Sequence, residues 1–369
     1  MCYYNDAHSD ERYAVLLNQS YMRKTVRFLL VFAWISSAIS CKKETVPTTA
    51  EAKALSATAS SEDIIYKPRF GVLANNVNGD DRITVAQELA VGYVRDAIIL
   101  GLYDGKAPMI DKYQSNGFKI LLNLNYTTKK PAPFPTDMVR YQLLLDSVLN
   151  KYIPEIAVIE NEPANEGYYT GPIENYFTQL RAAIDVCHAH GVRVADGALH
   201  TGMVCILVYQ DYVNRGLQEK ADDFASRALS SSYLRTAQGK GSAEMNAKLD
   251  KCKKMIAAYR TMALDFVNIH WYEPMNENNN PAFSAPGVAK EVADYLRKTT
   301  LKQVLTNEFG QTNQIPTLVA SQVNEFKLAN LAYAIDFSGT GSGGIAAQPL
   351  TAGIILLPNG IAYRDAIAQ

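Results

Sequence analysis

Eight short apolar runs constrain the fold of this 369-residue chain more than any other feature. They lie at Phe70–Ala74, Gly92–Ile98, Phe118–Leu122, Ile156–Ile159, Val192–Ala195, Phe266–Ile269, Gln303–Leu305 and Leu331–Phe337. Runs of this length without strict polar alternation suit strands buried on both faces. Helical spacing fills the intervals. Met138, Tyr141, Leu145 and Val148 share one helix face, as do Ile173, Phe177, Leu180, Ile184 and Cys187, and Gly191 stands where that second helix needs its C-cap. The stretches Ala243–Leu264 and Val288–Leu296 are helix-compatible too. Eight strand–helix units predict an α/β fold with a parallel sheet closed into a single (β/α)8 barrel. An open doubly wound sheet is the alternative, but it usually carries a glycine-rich phosphate turn after its first strand. Gly71-Val72-Leu73-Ala74-Asn75 is no such turn. Residues 200–242 separate strand 5 from its helix and are predicted to form an insertion of short helices on the C-terminal face.

The first 65 residues lie outside this rhythm. Residues 28–39, FLLVFAWISSAI, carry no charge but are too short to span a bilayer, which takes roughly 20 apolar residues. With Arg23, Lys24 and Arg27 before it, the run fits a secretory signal. Ala38-Ile39-Ser40-Cys41 resembles the lipobox of bacterial lipoproteins. That resemblance implies cleavage before Cys41, a lipid on Cys41, and a protein held on the periplasmic or cell-surface side of a membrane. Met1 and Met22 are both candidate starts. Residues 42–65, rich in Thr, Ser, Ala and charge, read as a tether, which leaves 66–369 for the barrel.

Composition excludes some roles. Hydrophobic residues make up 48% of the chain, enough for a large core, so a disordered protein is excluded. Thirty-six Lys and Arg against 37 Asp and Glu, with no basic run, argue against a nucleic-acid partner. Cys187, Cys205 and Cys252 form no CxxC pair and read as buried thiols, with at most one disulfide among them. Cys187, His188 and His190 end a helix, where packing and a helix-dipole role explain them without a metal.

Two carboxylates follow buried strands. Strand 4 runs into Glu160-Asn161-Glu162-Pro163 and strand 7 into Thr306-Asn307-Glu308-Phe309-Gly310. In a barrel, both positions open onto the catalytic face, where an unpaired carboxylate is costly to desolvate. A pair about 5–5.5 Å apart is the arrangement of a retaining glycosidase. Asn161-Glu162-Pro163 resembles the strand 4 motif of the clan A glycoside hydrolases. Glu308-Phe309-Gly310 resembles the strand 7 end of family 5, the cellulase and mannanase family. His270-Trp271-Tyr272 resembles the His-x-Tyr that ends strand 6 in the clan, and Arg95 resembles its strand 2 arginine. The resemblance spans the barrel, with family 5, a family 39-like member or another clan A family all open.

The resemblance implies Glu162 as acid/base and Glu308 as nucleophile. It also implies Asn161 on the sugar 2-hydroxyl, Tyr272 and Arg95 holding Glu308 ionised, and His270 lining the sugar pocket. Glu162 is then expected to have a raised pKa. Trp271 is the candidate stacking platform, with Tyr126, Tyr168 and Tyr169 as rim aromatics. Glu160 is a rival for Glu162. Asp196 reads as a supporting partner or loop cap, and His200 as a solvated loop residue. The strand 8 Trp usual in family 5 is absent, so either Phe337 substitutes for it or the first sugar subsite differs, and the usual strand 3 His is missing from Asn123-Leu124-Asn125-Tyr126. The implied function is retaining hydrolysis of O-glycosidic bonds in an oligo- or polysaccharide, with no metal or organic cofactor. A weakly catalytic glycan-binding lipoprotein and a transglycosylase are the alternatives on the same residues.

Overall fold

The computed structural model describes residues 68–272, 286–310, 315–339 and 349–369. The leader, the Cys41 lipobox and the tether lie outside these residues. Eight parallel strands form the barrel: β1 (Arg69–Ala74), β2 (Tyr93–Ile99), β3 (Lys119–Asn125), β4 (Ile156–Ile159), β5 (Arg193–Asp196), β6 (Phe266–Tyr272), β7 (Gln303–Gly310) and β8 (Tyr333–Ser338), and a two-residue strand, Leu199–His200, adds to the same sheet beside β6. Each pairs with the next, and β8 pairs with β1, so the sheet closes into a (β/α)8 barrel.

Every predicted strand is present. The differences lie at the ends. β6 and β7 run three and five residues past their apolar segments, so Trp271, Tyr272 and Glu308 belong to strands rather than to the loops after them. Polar side chains at a barrel mouth carry no apolar signal, although the backbone there still completes its ladder.

The helices pack outside. They are α1 (Asp81–Glu88), α2 (Pro108–Ser115), α3 (Met138–Leu149), α4 (Ile173–Ala189), α5 (Thr201–Asn214), α6 (Gln218–Ala228), α7 (Ser231–Ala237), α8 (Ala243–Tyr259), α9 (Val288–Thr300), α10 (Pro316–Leu328) and α11 (Pro358–Ala368). Thus α5, α6 and α7 occupy the 200–242 segment. Gly191 follows α4 with φ +70°, a left-handed conformation that glycine adopts without a Cβ penalty. The main core lies between strands and helices.

The barrel interior is layered. Its middle is apolar: Leu121, Ile156, Val158, Ala195, Phe266, Leu305 and Ile335 fill it. Below, at the N-terminal ends of the strands, the Tyr333 hydroxyl accepts from Arg69 (2.9 Å) and Arg193 (2.7 Å) and donates to Glu155 (2.6 Å). Above, strand alternation carries Arg95, Asn123, Asn268, His270 and Asn307 onto the interior, all of them buried. A dense polar layer over an apolar plug positions the site at the C-terminal mouth.

Candidate functional site

Two backbone irregularities build the mouth. The first is in β7. Leu305 pairs with Asn268 and Glu308 with His270, so three residues on β7 match two on β6. The same offset recurs against β8, where Thr306 pairs with Ala334 and Phe309 with Asp336. An extra residue of this kind is a β-bulge, which re-aims a side chain. Simple alternation would point Asn307 inward and Glu308 outward. The bulge turns both inward, and Phe309 packs outward on Phe326 with ring centroids 4.8 Å apart.

The second irregularity follows β4. Glu160 and Glu162 have φ +65° and +48°, left-handed values that cost a non-glycine residue about 1–3 kcal/mol. The turn is held where the Glu162 N–H donates to the Gly197 carbonyl at 2.6 Å. A Cβ on Gly197 would lie 2.6 Å from the Ile159 carbonyl oxygen, so this approach requires glycine.

That turn separates the two rival glutamates. Glu160 is fully buried away from the mouth, accepting from the Tyr126 N–H (3.0 Å), the Tyr169 hydroxyl (2.6 Å) and Gln179. Burial pushes its pKa up. Two residues along a regular strand would share a face, but the left-handed backbone removes that equivalence. Glu162 instead faces His270, whose Nδ1 is 2.9 Å from Oε1, and its Oε2 accepts from Asn165 at 2.8 Å.

Glu308 lies across the same imidazole ring, 3.9 Å from His270 Nε2. Its two oxygens accept from Arg95 and from the Tyr272 hydroxyl. Arg95 also donates to Asn123 (2.9 Å), the Asn307 carbonyl (3.2 Å) and Asn161 Oδ1 (3.1 Å). Four of the five Arg95 N–H donors are thus engaged, and the fork fixes Asn161 beside the two carboxylates.

The charges follow from this geometry. Burial opposes ionisation of Glu308, but the His270 and Arg95 charges outweigh it and hold its pKa below the usual carboxylate range. Burial likewise opposes ionisation of Glu162, and the His270 hydrogen bond and charge outweigh it, so Glu162 also falls below that range. Burial would depress His270, but Glu308 and Glu162 raise it. The expected raised pKa at Glu162 is thus not its resting state here. Glu162 and His270 lie within proton-sharing distance at 2.9 Å, and the directions of their two shifts both favour the ion pair.

The remaining sequence-predicted residues divide. Asp196 accepts from the Asn268 N–H (2.7 Å), the Ala198 N–H (3.0 Å) and the Tyr259 hydroxyl (3.2 Å), a supporting and capping role, with burial pushing its pKa up to about 7. Trp271 does not join the site. It alternates outward, is 4% exposed, and packs edge-on against Phe326 of α10 at 5.9 Å. A residue between two inward-facing neighbours on a strand must face the other way, so the stacking platform is corrected to a core residue. Phe337 is half-buried beside Leu73, on the interior parity of β8.

His200 is also corrected. It pairs in register with His270, and its Nδ1 accepts from the Gly202 N–H at 3.2 Å, capping α5. Desolvation pushes its pKa down to about 4, so it is neutral rather than a solvated, titrating loop histidine. Cys187, Cys205 and Cys252 are buried and free. His188 and His190 pair with Asp265 (2.8 Å) and Asp146 (2.9 Å) instead of forming a metal cluster with Cys187.

Sequence reasoning missed the asparagines at 123, 268 and 307, although polar residues inside apolar strands were the available signal. It also missed Lys130, whose ammonium stacks 4.1 Å from the Tyr168 ring centroid. Desolvation pulls the Lys130 pKa down while Glu162 and Glu308 push it up, and Tyr168 also feels both carboxylates.

No family model matches the chain, and no curated protein matches it. Solved structures share the barrel. A glucosidase from Croceicoccus marinus superposes with TM-score 0.52 at 14% identity, covering 82% of this chain and 67% of that one. A GH5_18 protein from Bifidobacterium longum subsp. longum, in complex with Manb1-4GlcNAc, gives TM-score 0.53 at 12% identity, covering 82% and 78%. Its counterpart from Streptomyces cattleya gives 0.51 at 11%, covering 82% and 80%. At such identities the likeness is one of fold.

Proposed function

We propose that this chain is a retaining glycoside hydrolase acting on O-glycosidic bonds of an oligo- or polysaccharide. The observation that carries the reading is the pair Glu162 and Glu308, from the ends of β4 and β7, facing one histidine with Glu308 clamped by Arg95 and Tyr272. The barrel shared with a glucosidase and two GH5_18 proteins supports it.

In this reading Glu308, ionised, attacks the anomeric carbon while Glu162 protonates the departing glycosidic oxygen. The aglycone leaves with that proton, and a glycosyl ester forms on Glu308. Glu162, now a carboxylate, removes a proton from water, whose oxygen displaces Glu308 and regenerates both groups. The proton needed first is the one shared with His270. Asn161, held through Oδ1, keeps its amide N–H for the sugar 2-hydroxyl.

The test is turnover of β-linked glycans by Glu162→Gln and Glu308→Gln, with NMR of the first-formed anomer from wild type. Loss of activity in both folded variants and retention of configuration are expected. Full activity in either variant, or an inverted first product, would sink the assignment.

The anchoring proposal rests on sequence: a chain cleaved before Cys41, lipid-modified there and held outside the cytoplasm. Mass spectrometry of the mature N-terminus would find a diacylglyceryl-modified Cys41, and an unmodified N-terminus elsewhere would overturn it.

A further inference from the structure

The amide orientations in the polar layer can be settled from groups with no choice of role. Arg95 Nε only donates, so the Asn123 atom facing it at 2.9 Å is Oδ1. Asn123 Nδ2 accordingly donates to the Glu160 carbonyl at 3.3 Å. The Asn307 atom 2.9 Å from Asn123 Oδ1 must then be its donor, Nδ2. A second, independent chain gives the same answer. The Asn307 backbone N–H donates to Asn268 Oδ1 at 3.0 Å, so Asn268 Nδ2 is the atom facing Asn307, at 2.7 Å from Oδ1. Asn268 Nδ2 also donates to the Asp196 carbonyl at 3.2 Å, which only accepts. Asn307 Oδ1 is therefore fixed as an acceptor from both ends, and it lies 3.1 Å from His270 Nε2.

We propose that Asn307 is a positioning residue that keeps a proton on His270 Nε2, leaving Nδ1 as the atom that trades a proton with Glu162. This deepens the glycosidase reading and rests on it for its catalytic meaning. With Nε2–H fixed, the pair has two good protonated forms: imidazolium with carboxylate, and neutral imidazole accepting from the Glu162 acid. Its deprotonated form sets a carboxylate against the bare Nδ1 lone pair. That repulsion keeps the shared proton in place to higher pH. Without Asn307, the ring could place its remaining proton on Nδ1, satisfy ionised Glu162, and give the catalytic proton up earlier. The other charged or titratable groups around the ring are Glu308 from β7, Arg95 from β2, Tyr272 from β6 itself and His200 before α5. None of them contacts Nε2 more closely than Asn307 does. Glu308 Oε2 lies farther away at 3.9 Å and is already occupied by Arg95.

The test is 15N NMR titration of the His270 imidazole in the whole protein, together with the alkaline limb of kcat/KM. Above its titration, the wild-type ring should carry its proton on Nε2. Asn307→Ala should lower the His270 midpoint by about one pH unit, the scale of one hydrogen bond, and bring in the Nδ1–H tautomer. Asn307→Asp, whose carboxylate accepts from Nε2–H and favours the imidazolium, should raise the midpoint. The alkaline limb should move with the midpoint in each variant. A wild-type Nδ1–H ring, an unmoved midpoint, or shifts of the same sign in both variants would overturn the proposal. If Asn307→Ala does not fold, Asn307→Asp and the wild-type tautomer still decide. The titration needs no turnover, so absence of glycoside cleavage would reject the glycosidase reading while the ring still reports on Asn307.

Discussion

The two ends of the barrel bind a glutamate with the same kinds of side chain. At the floor, Glu155 accepts from Arg193 and from the Tyr333 hydroxyl, with Lys119 3.6 Å away. At the mouth, Glu308 accepts from Arg95 and from the Tyr272 hydroxyl. Burial opposes ionisation at both ends. Tyr333 and Arg193 outweigh it for Glu155, as His270 and Arg95 do for Glu308. The difference lies in what else is present. The floor sets three cations, Arg69, Arg193 and Lys119, around the one carboxylate of Glu155, so no pair of groups there is placed to share a proton. The mouth sets a second carboxylate, Glu162, across His270 from Glu308, which gives the proposed proton exchange a partner there. One motif thus plugs a barrel or arms it, depending on whether the neighbouring group can trade a proton.

Breaking the clamp at the mouth should have the largest effect on activity. Arg95→Met removes a charge that keeps Glu308 ionised, so the Glu308 pKa rises and the acid limb of kcat/KM moves to higher pH. A fall of roughly 10²–10⁴ in kcat/KM is expected, the scale of a misprotonated catalytic group. A pH–rate profile checks it, and an unmoved acid limb would show that Arg95 does not set the charge of Glu308.

Exchanging the tyrosines should separate the two ends. Tyr272→Phe should cut kcat/KM by about tenfold to a hundredfold, because Glu308, the proposed nucleophile, loses a donor of about 1.5–3 kcal/mol, with little change in urea midpoint. Tyr333→Phe should do the reverse. It strips the hydroxyl that joins Arg69, Arg193 and Glu155, costing about 1–3 kcal/mol in urea unfolding while kcat/KM stays within twofold. A loss of activity in the folded Tyr333 variant would mean that the floor is coupled to the mouth.

The eight strands were legible because burial on both faces writes a continuous apolar run, and the fourth strand matches its run residue for residue. The catalytic candidates were legible as charges where such runs end. What was not legible depends on backbone that sequence pattern does not encode. The bulge at Asn307-Glu308 turns two consecutive side chains inward, and the left-handed turn at Glu160 and Glu162 sends neighbours on one parity to different places. His200 looked solvated because it borders the 200–242 insertion, yet α5, which it caps, is apolar and buried along most of its length.

Asp196 tests the support beneath the mouth, with a smaller effect. Its carboxyl is raised from 3.8 to about 7 by burial, so the folded state holds its proton more tightly than the unfolded chain does. Its contribution therefore favours folding at low pH and is lost as pH rises from about 4 to about 7. Asp196→Asn should flatten the stability curve across that window. Urea unfolding at pH 4.5 and pH 7.5 reads it, and a variant with the wild-type slope would assign the dependence to another group.

The smallest expected change in activity is at Trp271, and its value lies in separating the outer face of β6 from the inner one. His270 and Tyr272, on either side of it, point into the mouth, and alternation sends Trp271 to the helix layer against Phe326. Trp271→Phe shrinks a buried ring and leaves a gap between β6 and α10, so stability should fall by about 1–3 kcal/mol. Substrate meets none of this, so KM and kcat should each stay within twofold of wild type. A large rise in KM with unchanged stability would instead place the indole under the sugar.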